Sequence, residues 1–170
     1  MNDILDALRQ CLDEYEVIPI NKENYTDVWG VYATNQKYLQ SWGLGKVVEV
    51  EDILETFTRL PDYYDADKQI FVGIWRNGQV VAICDLLPQL DGDDNLWLSE
   101  IIIHGNEKGG GLGRIIVDSI VKATKNIGLR RITLGCTKNK IDFWSKMGFC
   151  QVAHFDEDFI FVRRFDEETN

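Results

Sequence analysis

Residues 108–114 read Lys-Gly-Gly-Gly-Leu-Gly-Arg, placing Gly109, Gly110, Gly111 and Gly113 around Leu112, with Lys108 and Arg114 at the flanks. Glycine lets a main chain approach a ligand closely and turn successive N–H groups toward one point. A helix starting here adds unpaired donors and the positive end of its dipole. The combination suits an anion, and phosphate above all. Two familiar phosphate loops do not fit. A GxGxxG fingerprint begun at Gly109 needs glycine at 114, where Arg114 stands, and no Lys-Ser or Lys-Thr follows a suitably spaced glycine as a P-loop requires.

A second group of residues sits just upstream. Glu100 precedes the apolar triplet Ile101-Ile102-Ile103, a carboxylate at the approach to a buried strand segment. Such a group serves as a general base if it faces a pocket, or is a solvated glutamate if it does not. Ser99 is an alternative that holds a water, and His104 is a base by chemistry but reads as a loop histidine. A third group follows downstream, Phe143-Trp144-Ser145-Lys146-Met147-Gly148-Phe149.

Taken together, 108–113 resembles the Q/R-x-x-G-x-G/A motif of the GNAT family of N-acetyltransferases, with Lys108 in the Gln/Arg place, and 143–149 resembles that family's F/L-Y-x-K-x-G-F. The resemblance runs from about Leu96 to Phe149. It implies acetyl-CoA as co-substrate, with the pyrophosphate on the glycine loop and Arg114. It also implies main-chain bonds from Ile101, Ile102 and Ile103 to the pantetheine arm, and further contacts from Asn139, Phe143, Trp144 and Lys146. Acetyl transfer to a primary amine of a small molecule or peptide is the implied reaction, with Glu100 as base and no metal. Two departures matter. Trp144 occupies a position where many relatives carry tyrosine, and an indole N–H is no acid, so Tyr63, Tyr64 or another tyrosine protonates the thiolate, or it leaves unaided, or activity is low. The family's asparagine is displaced, Thr137 and Asn139 lying seven and five residues before Trp144. A non-catalytic module binding coenzyme A and a transferase of longer acyl groups stay open as alternatives.

The elements that must hold these residues can be read from periodicity. Ile4, Leu5, Leu8 and Leu12 predict a helix over 1–13, and 16–20 a short strand. Helices are expected over 25–40 and 50–60, separated by Gly43 and Gly45. Strands at 69–76 and 80–87 flank the hairpin signal Asn77-Gly78. A strand at 96–104, a helix at 111–127, a strand at 131–136, a helix at 140–147 and closing strands at 149–155 and 159–165 complete the order. That order is α/β with a mixed sheet; the resemblance sharpens it to a mostly antiparallel sheet with a V-shaped splay between central strands and helices on both faces. It divides one domain into an acceptor-side region, 1–68, and a coenzyme-binding core, 69–165. Trp29, Tyr32, Tyr38 and Trp42 are candidates for an aromatic acceptor pocket or for core packing, and Asp62, Asp65 and Asp67 for greeting a cationic amine or for a solvated loop. Asp156-Glu157-Asp158 reads as a hairpin turn.

Bulk properties narrow the partners. A formal charge of −10 argues against nucleic acid; it either mildly favours cationic partners or substrates or merely aids solubility. No apolar run reaches membrane-spanning length, and 1–6 lacks the order of a signal peptide, so a cytoplasmic protein is expected; the resemblance implies a monomer or homodimer. Cys11, Cys84, Cys136 and Cys150 are too scattered for a metal pattern and are read as free thiols.

Overall fold

The computed structural model describes residues 3–40 and 47–165. Trp42, Gly43 and Gly45 lie outside the described residues. Among the described residues, seven strands form one sheet in the order β1-β2-β3-β4-β5-β7-β6. They are β1 (Glu16–Pro19), β2 (Ile70–Arg76), β3 (Gln79–Pro88), β4 (Asn95–Ile103), β5 (Arg131–Thr137), β6 (Cys150–Phe155) and β7 (Asp158–Arg164). All neighbours run antiparallel except β4 and β5.

One face of the sheet is covered by α1 (Asp3–Cys11) and α4 (Leu112–Asn126). The apolar stripe Ile4 and Leu8 of α1, continued by Leu12 just past its end, meets Ile116, Ile120 and Ala123 of α4 in the larger core. Ser119 Oγ donates to Cys11 O at 3.2 Å, tying the end of α1 to its partner. At its C-terminus α4 is closed by Gly128, at φ +81, with Leu129 N bonded to Thr124 O and Gly128 N to Lys125 O. Only a residue at ease in the left-handed region allows that double closure. The turn at Asn77-Gly78 likewise has both residues at positive φ, 52 and 75, as a tight two-residue hairpin demands.

The other face carries a smaller core of Val28, Val31, Tyr32, Leu39, Ile53, Phe71, Ile83 and Ile102. Here the expected long helix over 25–40 is broken into a 3-10 turn (Tyr25–Val28), α2 (Trp29–Ala33) and α3 (Gln36–Leu39). The break has a local cause. Thr34 Oγ1 turns back onto Gly30 O at 2.8 Å, and Asn35 Nδ2 onto Val31 O at 2.7 Å. These side chains take carbonyls that the next helical turn would have used. The helix expected over 50–60 is a 3-10 segment, Val50–Phe57, opened by a reciprocal cap between Glu49 and Asp52. Trp29 and Tyr32 pack with this core.

No helix among the described residues is long and apolar enough to cross a membrane. All four cysteines are free, Cys84 and Cys136 buried and Cys150 exposed. Asp156, at φ +51, turns between β6 and β7. Leu8 has no exposed surface, so Leu8→Ala should cost about 3 kcal/mol and lower the calorimetric melting temperature by roughly 9 °C.

Candidate functional site

A single extra residue in β4 shapes the site. Asp85 pairs with Glu100 but Leu86 pairs with Leu98, so Ser99 has no partner and forms a bulge. A bulge shifts the alternation of a strand by one. Before it, Leu96 and Leu98 point into the core under α4; after it, Ile101 and Ile103 take that side. Ile102 enters the opposite core, and Glu100, two residues from Ile102, shares its face. The bulge therefore turns Glu100 away from α4 and toward the α2 side.

The bulge also coincides with the opening of the sheet. β4 pairs with β5 only at Asn95–Trp97 against Arg131–Thr133. Beyond Trp97, β4 continues along β3 while β5 follows β7 as far as Thr137. Thr133 Oγ1 donates to the buried Asn95 Oδ1 at 2.8 Å, pinning the closed end of the V. His104 N donates to Val81 O at 2.8 Å, so residue 104 turns its main chain to β3. By alternation Ile101 and Ile103 turn their N–H and C=O groups into the gap, and Ile102 does not. One acceptor in the gap is already used, because Asn35 Nδ2 donates to Ile103 O at 2.9 Å.

The gap is a cleft of about 540 Å³ bounded by Leu98–Ile103 of β4, Leu134–Thr137 of β5, the glycine loop, and Asn139, Phe143 and Trp144. Gly109 and Gly111 sit at φ +82 and +84, with open space where a Cβ would be. Both therefore meet a backbone requirement. Gly113 has ordinary φ, and a Cβ there would point at Ile103 and Phe143 at 3.8 and 3.9 Å, into the wall of the cleft. Gly111 caps α4, and its carbonyl accepts from Arg114 N at 3.1 Å and Ile115 N at 3.2 Å, so the amides of Leu112 and Gly113 precede the first intrahelical bond. The Arg76–Glu107 ion pair fastens the preceding turn to the end of β2. Lys108 and Arg114 line the cleft and, among the described residues, neither pairs with an acid. Trp144 is buried edge-on between Phe143 and Phe149, at 4.9 and 5.3 Å.

Not every expected residue lines the cleft. Gly110 stands at the outer turn of the loop, and Lys146 is exposed on α5 (Ile141–Lys146); both lie outside the lining. His104 caps the Gly105–Glu107 turn by accepting from Asn106 N. Tyr63 and Tyr64 reach Asp91 and Pro88 O in a separate loop pair, and Asp65 caps the Ala66–Lys68 turn. Tyr38 is the tyrosine found in the lining. Asn35 and Asp85 went unnoticed in the sequence: the first looked like one more polar residue within a helix, and the second like one acid among many.

Electrostatically the notable groups are Glu100 and Asp85. Glu100 is partly open to the cleft, yet burial of its carboxyl and the neighbouring Asp85 charge push its pKa up to about 7. Asp85 is 4% exposed; burial pushes it up to about 6, opposed by bonds from Gln69 and Ser99. A carboxyl with a raised folded pKa keeps its proton better folded than unfolded, so its contribution to stability is fully present below the unfolded value near 4.5 for Glu100. That contribution is lost as pH rises through about 7. The melting temperature should therefore fall between pH 5 and pH 8 on account of this pair, and Glu100→Gln should flatten the fall and raise the value measured at pH 8.

Comparison with solved structures places the fold. An acetyltransferase from Thermus thermophilus superposes with a TM-score of 0.74 at 18% identity, over 89% of this chain and 97% of the other. The PaiA N-acetyltransferase of Thermoplasma acidophilum in complex with coenzyme A gives 0.64 at 17% identity, over 89% and 99%. The ribosomal-protein-S18-alanine N-acetyltransferase of Escherichia coli gives 0.63 at 11%, over 92% and 98%. These identities speak to the fold. A comparison with curated protein sequences finds no match. The family model for the Acetyltransferase (GNAT) family matches residues 21–149, a span holding the bulged strand, the glycine loop and the 143–149 segment, and the chain belongs to that family.

Proposed function

We propose that the protein transfers an acetyl group from acetyl-CoA to a primary amine of a small molecule or peptide, with Glu100 as the base. The observation that carries this reading is one continuous path. Unpaired donors and two unpartnered cations stand at one end of the cleft, an open strand edge runs along it, and a carboxylate of raised proton affinity stands beside the bulge. Coenzyme A offers matching chemistry in the same order: phosphates, an amide-bearing arm and a thioester. The neighbour bound to coenzyme A supports the donor, and its name supports no particular acceptor here.

The pyrophosphate is received by the α4 amides with Lys108 and Arg114. Ile101 and Ile103 offer main-chain bonds to the pantetheine arm, extending β4 as a strand would, while Phe143 and Trp144 close the opposite wall. A lysine-like ammonium must lose a proton before it attacks; at neutral pH that costs about 4.6 kcal/mol, from roughly 3.4 pK units. Glu100 lowers the barrier by accepting that proton in place. Free amides beside the bulge stabilise the oxyanion as the carbonyl becomes tetrahedral. Collapse then breaks the C–S bond. Trp144 has no proton to give, and Tyr38 is the phenol in the lining that can supply one to sulfur.

Activity should rise with pH as Glu100 ionises, with an acid limb in kcat/KM centred near pH 7. Glu100→Gln should lower kcat by roughly 10²- to 10⁴-fold and abolish that limb, with acetyl-CoA affinity unchanged. An unaltered limb removes Glu100 from the role. Replacing both Lys108 and Arg114 by Ala should weaken acetyl-CoA binding in calorimetry by at least about 10-fold, through the loss of charge-assisted bonds.

A further inference from the structure

Three polar groups, Asp85 and Tyr32 buried and Glu100 half-buried, lie together on the sheet face under α2, and the mechanism above uses only one of them. Register places Asp85 directly opposite Glu100 in an antiparallel pair, where Cβ atoms stand roughly 5 Å apart. The Ser99 bulge gives both side chains the same face. Tyr32, 5% exposed in α2, covers them from the helix side; its Oη has no hydrogen-bond partner, and Thr56 stands near it but outside hydrogen-bond geometry. Both carboxylates raise its proton affinity, so their charges are close by.

The surroundings offer little compensation. From the start of β2, Gln69 Nε2 donates to Asp85 Oδ1 at 3.0 Å and to Thr56 O at 2.9 Å. On β4, Ser99 adds a hydroxyl, and on β3, Cys84 is a buried neutral thiol. Tyr64 approaches Asp85 from the 61–65 loop, also neutral. The cation within reach is Arg59, which is exposed and pairs with Glu55. Two acids and a phenol thus share a low-dielectric face on which, among the described residues, the cation that reaches Glu100 is the exposed Arg59, already paired with Glu55. Burying a carboxylate unpaired is costly, and two together are costlier still. An entering ammonium relieves both costs at once; a neutral alcohol or a carboxylate does not.

The geometry points to Asp85 as a positioning residue: with Glu100 and beneath the Tyr32 hydroxyl it forms one carboxyl pair that receives the acceptor as a primary ammonium ion. This rests on the acetyltransferase reading and gives its acceptor site a charge. Glu100, open to the cleft, touches the ammonium; Asp85 acts from behind it. The amine nitrogen loses two protons in all. One passes to Glu100 and on to water, the N–C bond forms as the carbonyl becomes tetrahedral, collapse breaks the C–S bond, and the second proton replaces the one that Tyr38 gives to sulfur.

The test uses the free 170-residue protein, with Glu100 and Asp85 followed by carboxyl carbon NMR across pH and butylammonium as the probe. Glu100 should titrate near pH 7 in the wild type, and saturating butylammonium should move its midpoint down by about one unit, while butanol leaves it in place. Asp85→Asn should lower the Glu100 midpoint without butylammonium by a similar amount and weaken butylammonium binding about 10-fold, with acetyl-CoA affinity unchanged in calorimetry. Tyr32→Phe, a milder change, should weaken butylammonium alone. A Glu100 midpoint indifferent to butylammonium in the wild type, or equal in Asp85→Asn, overturns the pairing even if acetyl-CoA binds. Absence of acetyl-CoA binding by the wild type instead overturns the transferase reading, whatever the carboxyls do.

Discussion

The unpaired residue Ser99 in β4 is the constraint on which the site depends. A regular strand here would send Glu100 into the apolar core against α4, where a charge has no partner. It would also leave Ile101 and Ile103 with their main-chain groups toward β3. One added residue reverses both assignments, and just beyond Trp97 the β4–β5 pairing ends. Aim of the carboxylate, exposure of the strand edge and separation of the strands are therefore linked. The Thr133–Asn95 bond limits the opening from below, and Asn35 holds Ile103 O near its far end.

Function and stability pull against each other on the α2 side. Glu100 and Asp85 sit where burial favours their neutral forms, and among the described residues the cation near Glu100 is the exposed Arg59, which is paired with Glu55. A hydrophobic pair at these positions would make a better core. The retained acids instead give a base whose proton affinity lies near neutrality, where proton transfer is most effective. The larger core under α4, with Leu8, Ile116, Ile120 and Leu134 essentially inaccessible, supplies the apolar burial that tolerates this.

Much of this arrangement was legible in the residues. The order of strands and the hairpin at Asn77-Gly78 follow from periodicity and turn chemistry, and the mixed sheet follows from that order. Gly109 and Gly111 meet the positive φ that a cluster of glycines suggests. Two things were hidden. A bulge has no sequence signature in Leu-Ser-Glu-Ile, since it is defined by what the neighbouring strand offers as partners. The helical breaks at Thr34-Asn35 and in 50–57 were hidden too, because side-chain bonds to the main chain compete with propensity only once tertiary contacts fix them. Asp85 shows the same limit: its importance arises from register, which brings it to Glu100 across fifteen residues of chain.

The central claim is that the β4 edge beyond Ser99 is open and is completed by the coenzyme. Amide hydrogen exchange tests it most directly, comparing Ile101, Ile102 and Ile103 with and without saturating acetyl-CoA. The N–H groups of Ile101 and Ile103 should exchange quickly in the free protein and become protected on binding, while Ile102, bonded to β3, is protected in both. Protection of Ile101 and Ile103 in the free protein, or exchange unchanged by bound acetyl-CoA, contradicts the account.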